Sequence, residues 1–297
     1  MKLNWLYLLM SMVFFIVCSN KKVVDVEQDP IVQKYADVTI VDIHNHDASH
    51  SKYKKSMSVW KKYGIDKIVL FGDISEPSAQ VSDAIAFEAY TKNKGMFIPF
   101  IAGINIPDSS CLSYIRENFE KGVCGIGEIV AASSNSPVAS ILPWKGQHPM
   151  DGYFPEVYAL CAEYNKPILL HVDPPIGLPI QKLEEAAAAY PSTKIIFAHA
   201  NAYNSPANIQ QLLDSHDNIY IDFFAGFTAY NPDSEYELAD FVSLINLHPD
   251  KFMISTDSAY GIDYDQAYLA IYELFELLAM DVVEKVAGKN FLDLLKG

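Results

Sequence analysis

Cysteine is scarce in this chain. Cys18, Cys111, Cys124 and Cys161 are the only four, widely spaced and without a CxxC pair, so they supply neither a disulfide framework nor a thiolate metal or redox motif. With 14 Gly and 16 Pro in 297 residues, a collagenous or low-complexity chain is excluded. Positive charge is also short: 22 Lys and Arg stand against 37 Asp and Glu, a net charge of −15. That balance repels phosphate backbones, which argues against nucleic-acid binding without a local basic patch and leaves small molecules as the expected partners. Missing too is a GxGxxG phosphate-binding turn after the first strand-like run, where HNHDAS stands instead. An open doubly wound sheet is therefore disfavoured.

Material for a core is plentiful, with 50% hydrophobic and 12% aromatic residues in a length that suits one large α/β domain. Residues 1–18, MKLNWLYLLMSMVFFIVC, join an early Lys2 to an apolar run shorter than the roughly 20 residues that span a bilayer core. This run is expected to be an export signal, followed by a polar spacer over residues 19–36. The IVCSN at its end resembles the cleavage and lipidation box of bacterial lipoproteins. The resemblance implies acylation at Cys18 and a membrane tether on the periplasmic or cell-surface side. Val17 stands where that box has Gly, Ala or Ser, so an uncleaved signal anchor is the competing reading.

Over residues 37–297, short apolar runs alternate with longer helical-period segments, the signature of βα units building a parallel sheet. Strands are expected at 38–46, 66–72, 96–104, 123–130, 167–173, 194–200, 218–224 and 251–257. Several are continuous apolar runs, as parallel strands covered on both faces should be. Gly64, Gly95 and Gly122 are expected as left-handed helix stops. A helix over 179–190 is stopped by Pro191. Eight such units match a (β/α)8 TIM barrel.

Functional groups of such a barrel gather at the C-terminal ends of its strands. Strand one carries His44 and His46, two apart and so on one face, where a single metal ion can accept both imidazoles. Glu128 is expected to close strand four, His171 strand five, His199 strand six and Asp257 strand eight. Unpaired imidazoles and carboxylates crowded at an apolar mouth cost several kcal/mol of desolvation, and a divalent cation satisfies them together. Asp42, two residues before His44, is expected deeper on the same face, orienting a ligand histidine from behind. An ion pair with a base on another strand is the alternative for it. His216 and His248 read as surface residues, while His50 and His148 are left as loop candidates.

DIHNH, LLHVD, FAHAN and STDSAYG, in this order, resemble the amidohydrolase superfamily, particularly its amidohydrolase-related branch of metal-dependent hydrolases and decarboxylases. The resemblance covers residues 37–297. It implies that His44, His46 and Asp257 hold one metal. In one-metal members His171 joins that ion and His199 acts as acid, base or electrophile. In two-metal members His171 and His199 hold a second ion, and Glu128 in GIGEI is similar to the bridging glutamate of TatD-type deoxyribonucleases. Zinc suits the imidazole set, and manganese or iron are the alternatives. Asp257 is then expected to move the proton of the attacking water, with the metal or His199 stabilising developing charge.

Loops carry substrate choice. The long segment after strand four offers Trp144, Lys145 and His148, the segment after strand one Lys52, Lys54 and Lys55, and the segment after strand seven Phe224, Phe227 and Tyr230. Each has a bland alternative as solvated or packed surface. Three classes of function follow: hydrolysis of a small amide, ester, lactone or phosphoester; one-metal decarboxylation of a small organic acid; and non-catalytic binding of a metal or ligand by a tethered protein.

Overall fold

The computed structural model describes residues 29–296. The expected export signal and Cys18 therefore lie outside the described residues. Among those described, no helix is long and apolar enough to cross a membrane.

Eight strands form one sheet in chain order, each parallel to the next. They are β1 (Val41–Asn45), β2 (Lys67–Leu70), β3 (Phe97–Ile101), β4 (Gly125–Ala132), β5 (Ile168–Val172), β6 (Ile195–Phe197), β7 (Ile219–Phe224) and β8 (Phe252–Ser255). The helices, in order, are α1 (Pro30–Lys34), α2 (Tyr53–Lys62), α3 (Ala79–Lys92), α4 (Ser110–Lys121), α5 (Phe154–Glu163), α6 (Leu178–Ala189), α7 (Pro206–Ser215), α8 (Ala225–Tyr230), α9 (Leu238–Leu247), α10 (Tyr264–Glu276), α11 (Met280–Glu284) and α12 (Asn290–Lys296). β8 returns beside β1 and makes the sheet a TIM barrel.

The strands are buried on both faces, which is why the sequence shows apolar runs rather than alternation. Val41, Ile43, Val69, Phe71, Ile98, Phe100, Leu169, Ile196 and Met253 fill the barrel. Its floor is closed by α12: the Phe291 ring lies 6.0 Å from that of Phe100, and Lys194 donates to the Leu294 carbonyl at 2.6 Å. At the same end, Asp29 caps α1, and Tyr35 packs its ring 5.3 Å from Phe275. Val32 and Tyr35 are buried, so the later part of the stretch read as spacer packs against the barrel.

Two expected glycine stops are left-handed, Gly64 at φ +60° and Gly122 at φ +102°. Gly95 is not. The chain turns earlier there, because the Asn93 carbonyl accepts from the amides of both Met96 and Phe97.

Asp42 departs from its expected place. Four residues of β1 (Asp42 to Asn45) face three of β2 (Ile68 to Leu70), a bulge that breaks the two-residue alternation between Asp42 and His44. Asp42 therefore closes the barrel seam. It accepts from the Thr256 amide and hydroxyl at 3.1 and 2.6 Å and from the Tyr268 hydroxyl of α10 at 2.8 Å. Its tie to His44 is a 3.3 Å contact with the backbone amide, not with the ring.

A second buried carboxylate, Asp83 of α3, fixes the end of β3. It accepts from the amides of Ala102 and Gly103 and from the Tyr114 hydroxyl, all within 2.9 Å. Burial outweighs these hydrogen bonds and pushes it from 3.8 up to about 7. A carboxyl whose folded value lies above its unfolded one binds its proton more tightly when folded, so stability falls as pH rises from about 4 to 7. Asp83→Asn should remove that share of the slope. It should also cost roughly 1–3 kcal/mol at low pH, because an amide NH₂ then faces a backbone donor. Denaturant unfolding of wild type and variant across this pH range measures both.

Candidate metal centre

The mouth of the barrel collects the six side chains that the sequence singles out. The Nε2 atoms of His44 and His46 lie 3.0 Å apart, and Asp257 Oδ1 is 3.4 Å and 3.1 Å from them respectively. His171 Nδ1, His199 Nε2 and Glu128 Oε1 form a second trio, with separations of 2.9, 2.9 and 3.1 Å. Within each trio all ligand atoms fall within 4.8 Å of one another.

Irregular backbone brings them together. Glu128 does not close β4, which runs on to Ala132. A bulge opposite β5 between Ile126 and Glu128 accompanies its turn into the mouth. Gly127 beside it has no room for a side chain, since a Cβ would sit 2.8 Å from the ring of Phe71. That ring underlies the first trio, 5.3 Å from His44 and 4.8 Å from His46. Asp257, Ser258 and Ala259 are all left-handed, at φ 46°, 48° and 60°. The turn sits beside β1, where the Ser258 hydroxyl accepts from the His46 amide at 2.7 Å. His199 is left-handed as well, at φ 33°. Such conformations are costly for residues other than glycine and persist where surrounding contacts enforce them.

Hydrogen bonds behind the rings settle where the lone pairs point. His44 Nδ1 lies 2.7 Å from Asp222 Oδ2, and His46 Nδ1 lies 2.7 Å from the Gly72 carbonyl. Both partners only accept, so each Nδ1 carries the proton and each Nε2 presents a lone pair. His171 is held the other way round: Nε2 donates to Asp173 Oδ2 at 2.7 Å, which turns the Nδ1 lone pair toward Glu128. Buried acceptors thus face acceptors about 3 Å apart. Tetrahedral ligands 2.0–2.1 Å from a zinc ion would be about 3.3 Å apart, so the donor set fits a divalent cation in each trio.

Without a cation, protons must fill these gaps. Burial pushes the His46 imidazole down, but its contacts with Asp257 and Glu128 prevail and lift it to about 9. His171 behaves alike: burial is outweighed by Asp173 and Glu128, again to about 9. Burial would raise Glu128, yet hydrogen bonds from His171, His199, His44 and His46 hold it well below the usual carboxylate range.

Above the trios lies a cavity of about 410 Å³, walled by Tyr203, Phe224, Phe227, Tyr260 and Tyr264, with Lys52 at its rim. Its size suits a small organic molecule. Lys52, Phe224 and Phe227 line it as the sequence suggests; Lys54 and Lys55 do not. Trp144, Lys145, His148 and Tyr230 also fall outside its walls. The Trp144 backbone is tied to Ser75 and Ile106, Lys145 reaches only the neighbouring Gly146 carbonyl, His148 Nδ1 accepts from the Met150 amide, and Tyr230 donates to Glu273 of α10. The earlier part of the same loop, Ser136, Val138 and Ala139, lines the cavity in their place. His50 is not among the lining residues either.

Sequence reasoning overlooked Asp222, Asp173, Tyr203 and Tyr260. For Asp222 a signal existed, a lone carboxylate inside the apolar run IYIDFF.

A family model described as Amidohydrolase matches residues 27–296. No curated protein matches the chain. Among solved structures, an uncharacterized TIM-barrel protein from Bordetella bronchiseptica is 17% identical at TM-score 0.63, covering 87% of this chain and 99% of its own. A 4-oxalomesaconate hydratase from Rhodopseudomonas palustris is 14% identical at TM-score 0.58, covering 87% and 96%. A dihydroxybenzoic acid decarboxylase from Polaromonas, with bound manganese and the inhibitor 2-nitroresorcinol, is 13% identical at TM-score 0.56, covering 87% and 97%. At these identities the likeness is one of fold. With the family model spanning nearly all of the described residues, the chain belongs to the amidohydrolase family.

Proposed function

We propose that this chain is a metal-dependent hydrolase that uses two cations to direct water onto a small-molecule amide, ester, lactone or phosphoester. The observation that carries this reading is the position of Glu128. Its Oε2 lies 3.4 Å and 3.6 Å from the Nε2 atoms of His46 and His44, while its Oε1 lies 2.9 Å from both His171 and His199. One carboxylate therefore reaches both trios, so Glu128 would serve the ion held by either.

His44, His46 and Asp257 would hold one ion, His171 and His199 the other, with Glu128 between them. Divalent cations there would polarise the reacting oxygen of the substrate and make hydroxide available near neutral pH. Zinc is the expected metal for so many imidazoles, with manganese and iron as the other candidates. Asp257 faces the cavity and takes the proton of the attacking water, then returns it to the leaving group. Asp222 keeps His44 in one tautomer and also accepts from the His199 amide at 3.0 Å, so one carboxylate steadies a residue of each trio. The aromatic walls hold the apolar part of the substrate and exclude water from it. Lys52 attracts an anionic substituent at the rim.

A second reading has its own support. Similar structures are named as a decarboxylase and a hydratase, and an aromatic-walled cavity suits an unsaturated acid. In that reading one ion is held by His44, His46, His171 and Asp257, and Glu128 is free to touch substrate.

Elemental analysis of the purified protein should find two divalent ions per chain; one ion favours the second reading. In an ester, lactone, amide and phosphoester panel, chelation should abolish turnover and metal should restore it. Asp257→Asn should lower kcat by about 10²–10⁴ with the unfolding midpoint little changed. Wild-type protein with no metal-dependent turnover on this panel or on aromatic and unsaturated acids would be a binder instead.

A further inference from the structure

Behind His171 lies a carboxylate that the hydrolytic reading does not use. Asp173 is fully buried at the end of β5, and each of its oxygens serves two donors. Oδ2 accepts from His171 Nε2 at 2.7 Å and from the Ser133 hydroxyl at 2.6 Å. Oδ1 accepts from the backbone amides of Ser134 and Asn135 at 2.5 and 2.6 Å. Those three residues begin the loop after β4, and Ser136, Val138 and Ala139 of the same loop form a wall of the cavity.

We infer that Asp173 is a positioning residue that couples this cavity loop to the orientation of His171. Its four acceptor positions are all occupied, so the loop cannot swing away from the mouth without removing three of the carboxylate's four partners. Conversely, the carboxylate keeps the His171 proton on Nε2 and the Nδ1 lone pair in the mouth only while the loop amides hold it in place. Whatever secures His171 from the mouth side thereby steadies the loop, and by linkage a closed loop favours that occupancy equally. A substrate that packs against Val138 and Ala139 would tighten the second trio through the same carboxylate. In its metal-dependent consequences the inference rests on the two-cation reading above.

The discriminating variant is Asp173→Asn. Its amide oxygen can still accept from Ser134 and Asn135, which keeps the loop latched, but its NH₂ then points at His171 Nε2. That nitrogen must become an acceptor, the ring proton moves to Nδ1, and the lone pair leaves the mouth. Calorimetric titration of zinc into the metal-stripped full chain should show two sites in wild type. In the variant one site should weaken by about 10- to 100-fold while the other keeps its affinity. Hydrogen exchange over residues 133–139 should slow when wild type is loaded, and this response should be lost in the variant. Unchanged affinities in Asp173→Asn, or exchange in wild type that ignores loading, would overturn the coupling. Wild type that takes up a single ion would instead overturn the two-cation reading, and the exchange response to that ion would still decide the coupling. Should the variant not fold, the wild-type exchange comparison decides alone.

Discussion

Buried lone pairs that face one another across about 3 Å are the constraint on which the mouth of this barrel depends. His44 and His46 present Nε2 to each other, and Glu128 extends one oxygen to that pair and the other to His171 and His199. Such an arrangement is unfavourable unless positive charge fills it, by protons or by cations. The upward displacement of His46 and His171, against the pull of burial, expresses the first solution. The tautomers imposed from behind by Asp222, the Gly72 carbonyl and Asp173 prepare the second.

The barrel supplies this geometry because parallel strands end on one rim, so residues far apart in the chain meet with little intervening backbone. Regular strands alone would not suffice. Bulges in β1 and β4 re-aim His44 and Glu128, and the left-handed turn after β8 presents Asp257 to the first pair. Where side chains would obstruct, the chain has none: Gly127 leaves room for the Phe71 ring. At Gly72, whose carbonyl orients His46, a methyl group would collide with Ser82. Packing at these glycines is thus part of the site, although neither glycine touches a ligand atom.

Around the charged centre the walls are aromatic, and the loop following β4 has the amides of Ser134 and Asn135 bound by Asp173 behind the site. Imidazoles and carboxylates gathered at the base, with a mainly aromatic body above them and Lys52 at the rim, define a cavity that suits a small molecule with a polar reactive end. The chain belongs to the amidohydrolase family, and the position of Glu128 between the two trios is the observation on which the proposed hydrolytic reading rests.

By itself the sequence determined the eight βα units, since continuous apolar runs and helix stops are local signals, and it determined the six side chains at the mouth, since polar residues ending apolar strands stand out by position. It also carried the family likeness. What only the tertiary structure decided is which atoms face each other. Asp42 shares a face with His44 in an ideal strand, and a single bulge turns it to the seam. The ring of His44 is held instead by Asp222, 178 residues later. Trp144, Lys145, His148 and Tyr230 read as loop contacts, yet none of them lines the cavity, and Tyr230 instead donates to Glu273 of α10. Spacing along a chain fixes direction only while the strand stays regular, and non-local hydrogen bonds set it wherever the strand does not.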